Sequence, residues 1–337
     1  MTDNTQEKLK VRYYKGIKCR TINWLWYPYI PYGKVTIIQG DPGQGKSTLA
    51  LNLAAIVSTG GFLPFTNESV QQGTVVYQNS EDGLDDTICP RLKKYGADLN
   101  RVAYIDETDM TLAMDDERLD QVLLETGARL MILDPIQAYF KENTDMNRAS
   151  GIRPVMNKLG KLAQKHNCAI VLIGHLSKSK GLNELYRGLG SIDIPAAARS
   201  VLLVTEMTDN PREKVMAQIK SNLAPIGDSV VFRIKGDAPI EWVRKSRITA
   251  EELIEQTMDN VSKEQRAESI IYQLLKNGEK PSKQVLDECE NNGICNRTAK
   301  TAKAKMNIIT TKKKDGWYWS LATTSTKEKA KEYWDGD

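Results

Sequence analysis

The chain has 337 residues, of which 40% are hydrophobic and 27% charged, and its formal net charge is +4 at pH 7. These values are ordinary for a globular protein and allow one large and one small domain. No apolar run approaches the ~20 residues of a membrane span, and the N-terminal residues lack the apolar core of a secretory signal. The five cysteines form no C-x-x-C pair, which argues against a zinc site or a disulfide framework. We therefore expect a cytoplasmic protein with no membrane partner.

The first part of the chain leads into an apolar strand. Residues 11–14 predict an edge strand, and residues 24–31 form an aromatic-rich run. Aromatic side chains just before a core strand either pack beneath the sheet or stack on an adenine. Packing is the interpretation we favour.

A glycine-rich segment carries the clearest chemistry. It fits G-x-x-x-x-G-K-[ST], the phosphate-binding P-loop, and lies between an apolar run at 35–39 and a helical pattern at 49–57. The backbone N–H groups of such a loop and the positive end of the following helix bind polyphosphates. We expect Lys46 to reach the β- and γ-phosphates of ATP, and Ser47 to bind Mg²⁺. The predicted cofactor-binding residues are Gly40, Asp41, Pro42, Gly43, Gln44, Gly45, Lys46, Ser47 and Thr48.

Three later apolar runs end in polar residues that can act on a bound nucleotide. The carboxyl ends of parallel strands meet in the ligand crevice of a sheet. Glu81 follows the first run and is a candidate to polarise the attacking water, although residues 80–82 can instead cap the next helix. Asp134 ends the second run in the Walker B pattern, which holds Mg²⁺. His175 ends the third run. It either contacts the γ-phosphate or its bound water, or is a half-buried imidazole that is hydrogen-bonded within the protein.

A basic, glycine-containing segment follows at 177–191. Lys178, Lys180 and Arg187 suit contact with a DNA backbone, and the alternative is a mobile surface loop. Strand patterns then occur at 200–205, 214–220 and 229–234. Strands that alternate with helices and end in antiparallel hairpins predict an α/β fold, a mostly parallel sheet with antiparallel strands appended.

The C-terminal third predicts three helices, at 262–276, 283–289 and 295–306, and then two β segments, at 308–311 and 316–321. This is the layout of a winged helix. Its basic residues are expected to contact DNA phosphates, with Arg297 near enough to reach base edges, unless this domain docks a protein instead. The candidate DNA-binding residues here are Arg297, Lys300, Lys303, Lys312, Lys313 and Lys314.

These patterns divide the chain into five parts. They predict an N-terminal extension at 1–22, an ATPase domain at 23–245, a linker at 246–261, the winged helix at 262–322 and a disordered tail at 323–337. The acid-rich residues 246–258 of the linker are helix-forming.

From about residue 24 to residue 234 the chain resembles the RepA-like branch of the RecA/DnaB-type P-loop ATPases. The matching segments are the P-loop, Glu81-Asp82 with Arg91-Leu92, Leu133-Asp134-Pro135, and residues 174–178, 187–191 and 220–222. The resemblance implies a RecA-like fold and a ring of subunits, often a hexamer, with ATP bound between neighbours. The primase-contacting N-terminal domain of DnaB-type helicases has no counterpart in the match, so we do not expect a self-sufficient fork helicase.

The resemblance also implies roles for individual residues. Glu81 corresponds to the catalytic carboxylate, Asp134 to the Mg²⁺ ligand and His175 to the γ-phosphate sensor. Arg199 resembles the arginine finger that one subunit supplies to the next, unless it forms an ordinary strand-end salt bridge. Lys220 occupies the position of a second trans-acting cation. A cation supplied in trans stabilises the charge of the transition state and links hydrolysis to assembly.

Together these features predict a Mg²⁺-dependent, DNA-stimulated ATPase. The expected role is a ring helicase or DNA-remodelling motor in replication or recombination, serving a mobile element. Single-stranded DNA would bind the loops around residues 177–191, here called the motor loops, and duplex DNA would bind the winged helix. One alternative is an ATP-controlled DNA-binding regulator without unwinding activity. Another is a KaiC-like signalling ATPase that DNA does not stimulate.

Overall fold

The structure, a computed structural model, describes residues 11, 13–141, 149–176 and 193–321. The chain divides into two units, the larger ending at Thr249 and the smaller beginning at Ala250. None of the described helices is both long and apolar enough to cross a membrane.

A mostly parallel sheet is the framework of the larger unit. Among the described residues it has nine strands in the order β11-β10-β9-β8-β3-β7-β6-β4-β5. Its parallel strands are β3 (Val35–Gly40), β4 (Val75–Asn79), β5 (Val102–Ala103), β6 (Leu130–Asp134), β7 (Ala169–His175) and β8 (Ser200–Glu206). Its antiparallel strands are β9 (Glu213–Ser221), β10 (Ser229–Arg233) and β11 (Glu241–Ser246). A separate pair, β1 (Trp24–Trp26) and β2 (Ile30–Pro31), precedes β3.

Burial on both faces explains why the central strands are continuous apolar runs. Every residue of β6 is buried, as is every residue of β7 except His175 at its tip. The helices of this unit are α1 (Lys46–Thr59), α2 (Cys89–Lys94), α3 (Arg118–Thr126), α4 (Ala149–His166) and α5 (Asp193–Ala197). Helix α1 packs against β3, β4 and β6, and α4 packs against β3 and β7. Because strands β3 to β8 run parallel, their carboxyl ends lie at the same edge of the sheet, which is where the P-loop lies.

The α/β prediction with a mostly parallel sheet is confirmed, and so is the packing interpretation of the aromatic run. Trp26 and Tyr29 are each 2% exposed, and the Trp26 ring packs edge-on against Tyr29 and Trp242. The predicted edge strand at 11–14 is wrong for the residues described there. Tyr13 and Tyr14 are 82% and 89% exposed, and a 3₁₀ turn begins at Tyr14.

The smaller unit has its own apolar core. Three helices, α6 (Ala250–Leu275), α7 (Ser282–Asn291) and α8 (Asn296–Lys305), pack on a three-stranded antiparallel sheet of β12 (Lys280–Pro281), β13 (Ile309–Lys313) and β14 (Gly316–Ser320). The sequence predicted separate segments at 246–261 and 262–276, whereas α6 is one continuous helix. Residues 250–275 contain no glycine or proline, so nothing in this stretch ends the helix until Asn277-Gly278.

We expect Gly40 to be essential for the packing of β3 against β8. A Cβ at Gly40 would lie 2.1 Å from the backbone oxygen of Val204, which cannot rotate away. Gly40→Ala should therefore destabilise the protein by about 2 kcal/mol or more and lower Tm by several degrees in calorimetry.

Gly160→Ala is the matched control. Gly160 lies within α4, and a Cβ there would meet nothing within 4 Å. This variant should be stabilised by about 0.5–1 kcal/mol, because alanine loses less backbone entropy in a helix. Equal Tm changes in the two variants would contradict the packing constraint at Gly40.

Candidate functional site

The P-loop connects β3 to α1 at the carboxyl edge of the sheet. Gly43 and Gly45 have φ of +76° and +90°, a conformation that favours glycine. A Cβ at Gly45 would lie 2.3 Å from Cδ1 of Ile234, whereas one at Gly43 would meet nothing within 4 Å. Gly45 immediately precedes α1, and no side chain caps that end of the helix. The first N–H groups of a helix have no intrahelical acceptor, so this end suits an anion.

Lys46 is the buried cation of the loop. Its side chain is 4% exposed, and its ammonium donates to the backbone oxygens of Gly40 at 2.9 Å and Asp41 at 2.8 Å. Burial lowers the pKa of Lys46, while the carboxylates of Asp134, Asp41 and Glu81 act in the opposite direction. Three acidic groups thus favour the charged ammonium at the position where phosphate would bind.

Asp134 is the buried carboxylate opposite this cation. It is 2% exposed at the end of β6, and its Oδ2 accepts a hydrogen bond of 2.8 Å from the hydroxyl of Tyr77. Burial raises the pKa of Asp134, while hydrogen bonds from Ser47 and Tyr77 lower it. Tyr77 was not predicted as a site residue, because it lies inside an apolar strand and no local pattern distinguishes it from core.

The structure separates the two candidate acids that follow β4. The amide N–H groups of Glu81 and Asp82 both donate to Oδ1 of Asn79, at 3.0 and 2.7 Å, and this turn orients the segment. The Asp82 carboxylate lies 3.8 Å from Arg91, whereas Glu81 acts electrostatically on Lys46 and Asp134. The capping alternative fails, since no side chain caps the π-helical turn at Leu84–Ile88 or helix α2.

His175 lies at the tip of β7, level with Gly40 in the parallel register. Its Nε2 is 4.0 Å from Oε1 of Glu81. Burial and the nearby ammonium of Lys46 lower the pKa of His175, and Glu81 and Asp134 oppose that shift. The lowered pKa favours the neutral imidazole.

Two further side chains reach the P-loop from the antiparallel strands. The Lys214 ammonium, at the start of β9, donates to Oε1 of Gln44 at 3.1 Å and lies 3.3 Å from Glu206. Ile234, just after β10, is the residue whose side chain a Cβ at Gly45 would meet. Both are distant from the loop in sequence, so only the folded sheet identifies them as its neighbours.

Arg199 and Lys220 lie at the opposite edge of the sheet from the P-loop. The N–H of Arg199 donates to the oxygen of Val35 at the amino end of β3, whereas Lys220 pairs with Val201, which is level with Ile37, the third residue of β3. Gly40 lies five residues beyond Val35 and three beyond Ile37, or about 16 Å and about 10 Å along the strand at 3.3 Å per residue. Neither side chain forms a hydrogen bond or ion pair with the P-loop among the described residues.

The two cations differ in how they are held. The Arg199 side chain is exposed. The Lys220 ammonium donates to three backbone oxygens around the end of α5, those of Pro195, Ala196 and Ala198, at 2.8–3.0 Å. Burial, and then the charge of Arg199, lower the pKa of Lys220.

The predicted DNA contacts fall in two places. Lys178, Lys180 and Arg187 lie outside the described residues. In the smaller unit, Arg297, Lys300 and Lys303 are on α8, Lys312 and Lys313 are on β13, and Lys314 follows β13. The Lys313 ammonium forms an ion pair with Glu279, so it is partly neutralised.

The residues at the carboxyl edge fit ATP with Mg²⁺. The Ser47 hydroxyl and the Asp134 carboxylate are hydrogen-bonded to each other, and hard oxygen donors of this kind are the ligands that Mg²⁺ takes. The uncapped end of α1 and the Lys46 ammonium complement the phosphates. Ser47 and Asp134 would hold the metal, and Gly40–Thr48 would surround the phosphates.

Comparison with known proteins supports this chemistry. A family model described as an AAA domain matches residues 5–181, just over half of the chain. The DNA repair protein RadA of Bacillus subtilis is 23% identical over 227 residues, which cover 65% of this chain and 43% of that protein. RadA of Streptococcus pneumoniae is 24% identical over 230 residues, covering 66% of this chain and 47% of that protein. The chain therefore spans less than half the length of these relatives.

The contacts around His175 predict opposite pKa changes in two variants. Glu81→Gln removes a carboxylate that raises the pKa of His175, so that pKa should fall further. Lys46→Met removes a cation that lowers it, so the pKa should rise. Ring-proton NMR titration without nucleotide measures both, and His166, the only other histidine, supplies reference resonances. A shift in the same direction in both variants would contradict the arrangement of charges.

Proposed function

The chain belongs to the AAA domain family and is a RecA-like P-loop ATPase, and from this premise we propose that it is a Mg²⁺-dependent, DNA-stimulated ATPase that works as an oligomer. One observation carries the proposal. The buried Lys46 and Asp134, together with Glu81 and His175, converge on one edge of the sheet beside the P-loop. This combination suits hydrolysis of the γ-phosphate better than simple storage of a nucleotide.

Each residue then has a defined task. Lys46 neutralises the β- and γ-phosphates, and Glu81 orients and deprotonates the attacking water. His175, 4.0 Å from Glu81, senses whether the γ-phosphate is present. Mg²⁺ supplies charge neutralisation at the β- and γ-phosphates when bound, and Ser47 and Asp134 hold it.

Arg199 and Lys220 act on the nucleotide of a neighbouring subunit. Their positions, about 16 Å for Arg199 and about 10 Å for Lys220 from the level of Gly40 by strand geometry, support a role in trans. A head-to-tail contact between copies generates a ring when the rotation closes, and a hexamer is the arrangement we favour.

DNA is the proposed macromolecular partner. The relatives that align with this chain are named as DNA repair proteins. Lys178, Lys180 and Arg187 would contact the phosphates of single-stranded DNA, and the smaller unit, as a winged helix, would contribute the basic residues of α8 and β13. The resemblance to the RepA-like branch extends the proposal to a helicase or DNA-remodelling motor in replication or recombination of a mobile element.

Glu81→Gln tests the catalytic assignment. We expect the steady-state ATPase rate to fall by about 10²–10⁴-fold, because the water loses its general base, while nucleotide affinity stays within a few-fold. In the wild type, single-stranded DNA and increasing protein concentration should both raise the rate. Coupled-enzyme assays measure the rate, and binding of a fluorescent ATP analogue measures affinity.

Asp82→Asn is the matched control for that variant. Asp82 is adjacent to Glu81 in sequence but lies against Arg91. The ATPase rate of Asp82→Asn should therefore remain within about threefold of wild type. The assignment is wrong if Asp82→Asn, rather than Glu81→Gln, abolishes hydrolysis. A rate that DNA does not change, with DNA binding retained, would favour an ATP-controlled regulator over a motor.

Mixing two inactive variants tests the role of Arg199 in trans. Lys46→Met lacks a functional P-loop, and Arg199→Ala lacks the finger, so each alone should be inactive. In an equal mixture, about a quarter of the interfaces of a randomly assembled ring would join an intact P-loop to an intact Arg199. Activity should rise towards that fraction of wild type. If Arg199→Ala alone is fully active, or if an assembled mixture stays inactive, the trans assignment is wrong.

A further inference from the structure

A cavity in the smaller unit combines aromatic and basic side chains. It has a volume of about 840 Å³ and lies between α8 and the β13–β14 strands, with the first residues of α7 closing one side. The residues that characterise it are Lys300, Lys303, Asn307, Thr310, Trp317 and Trp319. All of them belong to one unit, which has its own core.

Strand register brings the two tryptophans to the same face of the small sheet. Trp317 and Trp319 are two residues apart on β14, and they pair with Lys312 and Thr310 of β13. Trp319 is 4% exposed and belongs to the core, whereas Trp317 is 53% exposed. An indole half exposed beside a cavity offers a large flat surface to a ligand.

Cations surround these rings. The Lys303 ammonium lies 5.0 Å from the centre of the Trp319 ring, and the Lys312 ammonium lies 5.7 Å from that of Trp317. Among the basic residues between 296 and 314, Lys305 and Lys313 form ion pairs with Glu264 and Glu279. The others form no ion pair with any residue that the structure describes; they are Arg297, Lys300, Lys303, Lys312 and Lys314. These cations can therefore contact an anionic ligand without first breaking an ion pair.

Flat aromatic surface and unpaired positive charge together match a nucleic-acid strand. Phosphates alone would need only the lysines, and an acidic peptide would not use the indole face. In a duplex the bases are stacked on one another and paired, so their faces are closed to Trp317. An unpaired base can leave its stack and lie against an aromatic ring, while its flanking phosphates reach nearby cations.

We propose that the cavity of the smaller unit binds single-stranded nucleic acid, with one unpaired base stacked on Trp317 and the flanking phosphates on Lys300 and Lys303. This rests on the proposed function, in which DNA is the partner, and assigns single-stranded nucleic acid to the smaller unit in place of the duplex that the sequence predicted for the winged helix. The unit then holds the same form of DNA as the motor loops.

The test is direct binding by the full-length protein without nucleotide. A labelled oligonucleotide of about 20 bases, single-stranded or annealed to its complement, is titrated by fluorescence anisotropy at fixed salt. Trp317→Ala should weaken binding of the single strand by about tenfold, and binding of the duplex by less than about twofold. Trp317→Phe should recover most of the affinity, because it keeps an aromatic face.

Tyr272→Ala is the matched control. Tyr272 is an exposed aromatic residue of the same unit, 51% exposed on α6, and does not line the cavity. It should bind the single strand like wild type. A single strand that carries 5-bromouracil should, after irradiation, cross-link to the peptide that contains Trp317, and the duplex should not.

The outcomes separate this inference from the proposed function. If the protein binds the duplex tightly, and Trp317→Ala and Tyr272→Ala have the same affinity for it, the stacking cavity is overturned. DNA remains the partner in that case. Strand binding that Trp317→Ala does not change also overturns it, since the strand is then held elsewhere. Absence of binding to either form overturns both the inference and the choice of DNA as partner.

Discussion

Two opposite charges buried at the same edge of the sheet are the constraint on which the site depends. Lys46 and Asp134 are each less than 5% exposed, and burial alone shifts the pKa of both towards the neutral forms. Their mutual attraction, the carbonyl acceptors of the loop and the hydroxyl of Tyr77 oppose that shift. Parallel strands are what make this possible, because they end together and bring residues far apart in sequence to one edge.

The P-loop and the tip residues Glu81, Asp134 and His175 could be predicted because their signals are local. A buried parallel strand is a continuous apolar run, so the polar residue that ends it is conspicuous in the sequence. Tyr77, Lys214 and Ile234 could not be found in this way, since each depends on which strand lies next to which. A local signal also misled: the residues around Tyr13 have strand propensity, but their side chains are exposed.

The boundary between the units illustrates the same limit. The acid-rich residues 246–258 were predicted to form a helical linker separate from the helix at 262–276, yet α6 runs from Ala250 to Leu275 without a break because no residue there breaks a helix. Strand β11, with a mixed pattern of exposed and half-buried residues, gave no clear periodicity. Only its pairing with β10 identifies it as a strand. Beside this pair, Glu213 of β9 accepts hydrogen bonds from Arg233 of β10 and Arg244 of β11.

The three hydrogen bonds of Lys220 have a consequence for communication between subunits. An ammonium has three donors, and all three are taken by backbone oxygens at the end of α5. A phosphate from a neighbour would compete with α5 for the same cation, and α5 follows, in sequence, the basic segment assigned to DNA. If Lys220 contacts a neighbour's nucleotide as proposed, binding of that nucleotide would loosen α5, and its release would restore the three hydrogen bonds.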